Sequence, residues 1–127
     1  MATVAGETLY YNFKAAHRDR VELEMRAQIG AAGSVLLPLQ FQDDPNMSVA
    51  LGATGVYALT FPPGADGNGQ LDVTVVSPAG TVKGFWCTAF APNSGTASIT
   101  TSNGAGVATN PANGDVIMIT ITLSMRA

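Results

Sequence analysis

The sequence predicts an all-β domain: an antiparallel sandwich, jelly-roll-like, of about seven or eight strands. Three observations carry that expectation. Apolar residues recur at period two in several segments, Gly, Pro and Asn clusters interrupt them at short spacing, and no helical segment separates them. Composition agrees, because thirteen Thr, seven Ser, seven Asn and fourteen Gly suit strands and turns. Charged residues make up only 12% of the chain, about half the usual roughly 25%, so exposed helices rich in Glu, Lys, Gln and Arg are excluded.

The first element runs over residues 20 to 29. Val21, Leu23, Met25, Ala27 and Ile29 share one face, while Arg20, Glu22, Glu24 and Arg26 share the other. Helical geometry would scatter those five apolar side chains around an axis, so period outweighs propensity. Next, Leu37, Leu39 and Phe41 alternate with Pro38, Gln40 and Gln42, and the proline marks an edge or a strand start.

Residues 55 to 61 form another strand, ended by Pro62, Pro63 and Gly64. Residues 71 to 76 and 81 to 90 flank the turn Ser77, Pro78, Ala79, Gly80, which makes them expected hairpin partners. A weaker strand follows at 97 to 101, and then two turn clusters at 103 to 106 and 110 to 115. The strongest strand is the last, where Ile117, Ile119, Ile121, Leu123 and Met125 face one way and Met118, Thr120, Thr122 and Ser124 the other.

A chain of 127 residues fits one domain, here 1–127, with residues 1–19 as an N-terminal arm or anchoring segment. Ten of the fifteen charged side chains fall within the first 44 residues, and residues 84 to 114 carry none. The net charge of -3 and scattered basic residues give no footprint for nucleic acid. No apolar run approaches the roughly twenty residues of a spanning helix, and the start of the chain lacks the order of a signal peptide. Neither a membrane nor secretion is expected.

Chemistry-bearing motifs are sparse. His17-Arg18-Asp19 copies three letters of a kinase catalytic loop, but neither the following Asn nor a Gly-rich loop accompanies it. Cys87 sits in an apolar strand, where a cysteine is usually a small buried hydrophobe, and only Lys83 is near to lower its pKa. Asp66, Asn68, Gln70 and Asp72 only faintly resemble a calcium loop, with the turn glycine misplaced and Ser77 in the closing position. The glycines at 64, 67, 69, 104 and 106 open no helix, so they read as turns and not as phosphate loops. Asn46-Met47-Ser48 is a glycosylation sequon without a secretion signal. Glu22 and Glu24 between two arginines read as intrastrand charge compensation. The expectation is therefore no enzyme, no catalytic residues, no metal, no cofactor and no small-molecule substrate.

So little charge leaves strand edges unprotected, and a chain packed against copies of itself has less need of that protection. Phe85, Trp86 and Phe90 alternate imperfectly within the uncharged stretch and are the candidate oligomer interface. The blander reading, ordinary core aromatics, stands beside it.

Residues 55 to 61 (GVYALTF), 71 to 81 (LDVTVVSPAGT) and 110 to 123 (NPANGDVIMITITL) resemble small β-sandwich structural proteins of tailed bacteriophages, namely capsid decoration (cement) proteins and fibre-tip domains. The resemblance covers roughly residues 55 to 123. It implies a homotrimer on the outer capsid surface of the virion, made in the bacterial host cytoplasm. There it binds the major capsid protein and stabilises the shell. Within residues 7 to 26 the segment expected to reach the shell offers Leu9, Tyr10, Tyr11 and Phe13 as apolar anchors and Lys14, Arg18 and Arg20 to set register. A first strand pair with a charged outer face is the equal alternative for this segment. The second function class is a fibre-tip or receptor-binding domain contacting host carbohydrate through Asp66, Asn68, Asn103 and Asn113. A start at Met1 without a repetitive shaft favours decoration over that reading.

Overall fold

A computed structural model of the chain describes residues 20–64 and 68–124. Eight strands build two four-stranded antiparallel sheets: β1 (Arg20–Gln28), β2 (Phe41–Gln42), β3 (Ser48–Leu51), β4 (Val56–Thr60), β5 (Gly69–Val76), β6 (Gly84–Ala91), β7 (Thr96–Ser102) and β8 (Val116–Ser124). The first sheet has the order β2-β1-β8-β5 and the second β3-β4-β7-β6. Taken as β3-β4-β7-β6 against β5-β8-β1, this is the strand order of a constant-type immunoglobulin sandwich. Here, however, the seventh place is filled by β1 from the opposite end of the chain.

The two best period-two segments become central partners. β1 and β8 pair along their whole length, from Arg20 opposite Ser124 to Gln28 opposite Val116. Met25, Ala27, Ile29, Ile117, Ile119, Ile121 and Leu123 are all buried, and their sheet packs on Tyr57, Leu59, Phe61, Ala97 and Ile99 of the other. Each such aliphatic side chain contributes about 1.5–3 kcal/mol by leaving water, so this double layer holds the sandwich together. Arg20 and Arg26 stay exposed on the wet face of β1, with Glu22 and Glu24 half-buried between them. Met125 of the expected last strand lies outside the described residues.

Three expectations need correction. Leu37, Leu39 and Phe41 do not form a strand with one buried face. Pairing starts only at Phe41, after the proline that cannot donate to a ladder, and Leu37 is 76% exposed while Leu39 is buried. A strand at Ser48–Leu51 was not anticipated, although Val49 is buried and Leu51 packs against the core at period two from it.

The third correction concerns the hairpin between 71–76 and 81–90. β5 pairs with β8, and β6 pairs with β7. The turn forms, with the Gly80 N–H donating to the Ser77 carbonyl at 2.8 Å. The next residues then leave the sheet: the Val82 N–H donates to Ser77 Oγ, and the Lys83 N–H donates to the Ser102 carbonyl of β7. The connection crosses between layers, so β5 and β6 end up as the long edges on one side of the sandwich. The segment at 97 to 101, expected to be weak, is an inner strand whose residues from Ile99 to Ser102 are all buried.

Candidate interaction edge

β6 is an edge strand, and its exposure follows from its place. β7 gives the phase: Ala97, Ile99 and Thr101 face the core, while Ser98, Thr100 and Ser102 face outward. Phe85 lies opposite Thr101 and Cys87 opposite Ile99, so both point inward, whereas Trp86 opposite Thr100 and Thr88 opposite Ser98 point outward. Phe85 is nonetheless 40% exposed and Trp86 44%, because beyond β6 the sheet ends.

A bulge then changes the phase. Between Thr88 and Ala91 the register slips by one residue, and Ala89 adopts a left-handed φ of 54°. Phe90 is thereby turned to the core, where its ring lies 6.0 Å from that of Phe61. The imperfect aromatic alternation of the sequence is this bulge. Phe85 and Trp86 stand at the edge, and Phe90 anchors β6 to the sandwich.

The open edge can be resolved to particular backbone groups. The Thr101 N–H donates to the Gly55 carbonyl, on the β4 side. By alternation Ser98, Thr100 and Ser102 turn their backbone groups towards β6, and the Lys83 N–H is indeed accepted by Ser102. Their partners Thr88, Trp86 and Gly84 are consequently ladder-bonded. The N–H and C=O of Phe85 and Cys87 point away from the sheet.

Cys87 is exposed, against the expectation of a buried hydrophobe, because it too lies on this edge. Desolvation first and the Asp72 carboxylate second push its thiol up, which disfavours the thiolate a nucleophile needs. His17 lies outside the described residues, as do Asp66 and the shell-contact candidates Leu9, Tyr10, Tyr11, Phe13, Lys14 and Arg18. Arg20 is described, exposed at the start of β1. Among the described residues there is no group of three His, Cys, Asp or Glu side chains placed to hold a metal ion. No described helix is long and apolar enough to cross a membrane.

The end of the sandwich that carries the long loops is tied together by hydrogen bonds between them. Tyr57 Oη donates to the Gly33 carbonyl at 2.6 Å, and Asn110 bridges the Gly55 N–H and the Ala32 carbonyl. Asp115, 2% exposed, accepts from Ser77 Oγ at 2.7 Å and from the Ala112 N–H at 3.0 Å through one oxygen. That carboxylate joins the end of β5 to the start of β8. Asp115→Ala strands both donors, and the expected loss is about 2 kcal/mol in urea unfolding, most of it recovered by Asp115→Asn, which keeps an acceptor in place.

Compared with protein-family models, curated proteins and solved structures, the chain matches none.

Proposed function

We propose that the chain is a non-enzymatic structural protein that associates with copies of itself and decorates a viral capsid, bound to the major capsid protein on the outer surface of the virion. The observation that carries this reading is the open β6 edge, where Phe85 and Trp86 are exposed within a stretch of 31 residues, 84 to 114, that has no charged side chain. A soluble lone domain normally guards such an edge with Lys or Glu. The resemblance of residues 55 to 123 to phage decoration proteins supplies the shell as partner and threefold closure as the implied arrangement there.

The mechanism is clamping by mass action. A protein that binds the expanded shell and not its precursor stabilises the expanded form by about 2.7 kcal/mol per site at a hundredfold excess over Kd, with no covalent step. Mixing the protein with expanded shells that lack it is expected to give co-sedimentation and a raised shell melting temperature. Absence of both, with retention on host-cell envelopes, would replace this reading by the fibre-tip one. That alternative relies on loop Asn residues, and one of them is engaged internally: Asn103 Oδ1 accepts from the Ala105 and Val107 N–H groups.

A further inference from the structure

From the outward-pointing backbone groups of β6 we infer the contact between copies: β6 pairs antiparallel with β6 of a second copy about a twofold axis at Trp86. This rests on the reading that copies associate, and it names the surface and the register.

Only Phe85 and Cys87 direct their N–H and C=O groups to the open edge within the regular run 84 to 88. Centring the pairing on Trp86 sets Phe85 of one copy opposite Cys87 of the other, and the reverse, so that both become hydrogen-bonded pairs. Trp86 then meets Trp86 of the second copy as the non-hydrogen-bonded pair, where side chains approach most closely, on the outer face. Gly84 falls opposite Thr88, and the bulge at Ala89 ends the ladder. A twofold axis normal to the sheet keeps inner faces on one side, so two four-stranded sheets become one of eight strands.

Charge selects the second copy as occupant and β6 as the edge. The nearest ionised side chain, Lys83, would sit opposite residue 89 of the second copy, which leaves the two lysines about 20 Å apart, beyond the screening length. β5, the other long edge, carries Asp72 mid-strand, and self-pairing there brings two carboxylates within one diagonal step. β3 is uncharged but has only four residues. A twofold β6 contact yields pairs, so a threefold arrangement on a shell would use other surfaces.

The test uses the full chain. In a Cys87→Ser background, Trp86→Cys treated with copper phenanthroline is expected to form a disulfide-linked dimer, since directly opposed residues fall within bridging distance. Thr88→Cys, opposite Gly84, is expected not to. Trp86→Lys should weaken dimerisation in sedimentation velocity by at least about tenfold, through two opposed cations, with the thermal transition of the fold unchanged. A monomer at every concentration, equal crosslinking from residue 88, or unaltered association of Trp86→Lys overturns the inference. Shell co-sedimentation separates the two claims: a monomer that still binds shells removes only the β6 contact, and a β6-linked dimer that binds none removes only the decoration role.

Discussion

Replacing Gly55 by alanine is expected to lower the free energy of unfolding by at least about 3 kcal/mol, a fall of roughly 10 °C in Tm for a domain of this size. Gly55 precedes β4 at φ +73°, and a Cβ there would lie 2.8–2.9 Å from the Thr109 nitrogen and from the Thr101 and Thr109 carbonyl oxygens. Backbone cannot step aside as a flexible side chain does. These atoms are also tied to one another, since the Gly55 carbonyl accepts from the Thr101 N–H and the Thr109 N–H donates to the Thr101 carbonyl. Moving any one of them disturbs the β4–β7 ladder and the long β7–β8 connection together.

Two controls separate strain from overlap. Gly106 has φ +77° with nothing within 4 Å of an added Cβ, so Gly106→Ala should cost only the left-handed conformation, about 1–2 kcal/mol. Gly52 has no such φ, and its nearest neighbour is at 3.7 Å, so Gly52→Ala should be neutral within about 0.5 kcal/mol. Urea unfolding of the three variants checks the order. Equal costs at positions 55 and 106 would show that conformation alone, and not the crowding of the loops, makes Gly55 necessary.

What the sequence disclosed and what it withheld divide along the range of the interactions involved. The strands at 20 to 28 and 116 to 124 were legible because a sheet buried on one face imposes period two, and Val21 to Ile29 and Ile117 to Leu123 display it. The Ser77 to Gly80 turn was legible too, being local chemistry. Where the chain went after that turn was not, since the decision rests on Lys83 bonding to Ser102, nineteen residues away. β3 was missed because it is short and sits just after the turn formed by Pro45 and Asn46. For the interaction edge, absence of charge pointed to the right stretch, and aromatic phase hinted at the bulge. Which side of Phe85, Trp86 and Phe90 faces water depended on β6 being last in its sheet, a property of topology that no local pattern encodes.

Alkaline titration offers the second large effect. Tyr57 is fully buried, and its hydroxyl, normally near 10, is pushed up to about 12, by burial first and by the Asp115 carboxylate second. The folded state holds this proton more tightly than the unfolded chain. Its contribution to stability is complete below pH 10, falls as pH rises from 10 to 12 and is gone above, a loss of up to about 3 kcal/mol. Tyr57→Phe should remove that part of the pH dependence. At neutral pH the same variant leaves the Gly33 carbonyl, in a buried residue, without its 2.6 Å donor, for a cost of about 1–3 kcal/mol. Cys87, also pushed up, acts with the same sign, so the comparison belongs in a Cys87→Ser background. Urea midpoints from pH 8 to 12 read the outcome. Parallel pH profiles for Tyr57→Phe and its parent would mean that the hydroxyl is not held as a proton donor to the 31–33 turn, and the tie between β4 and that loop would have to be sought elsewhere.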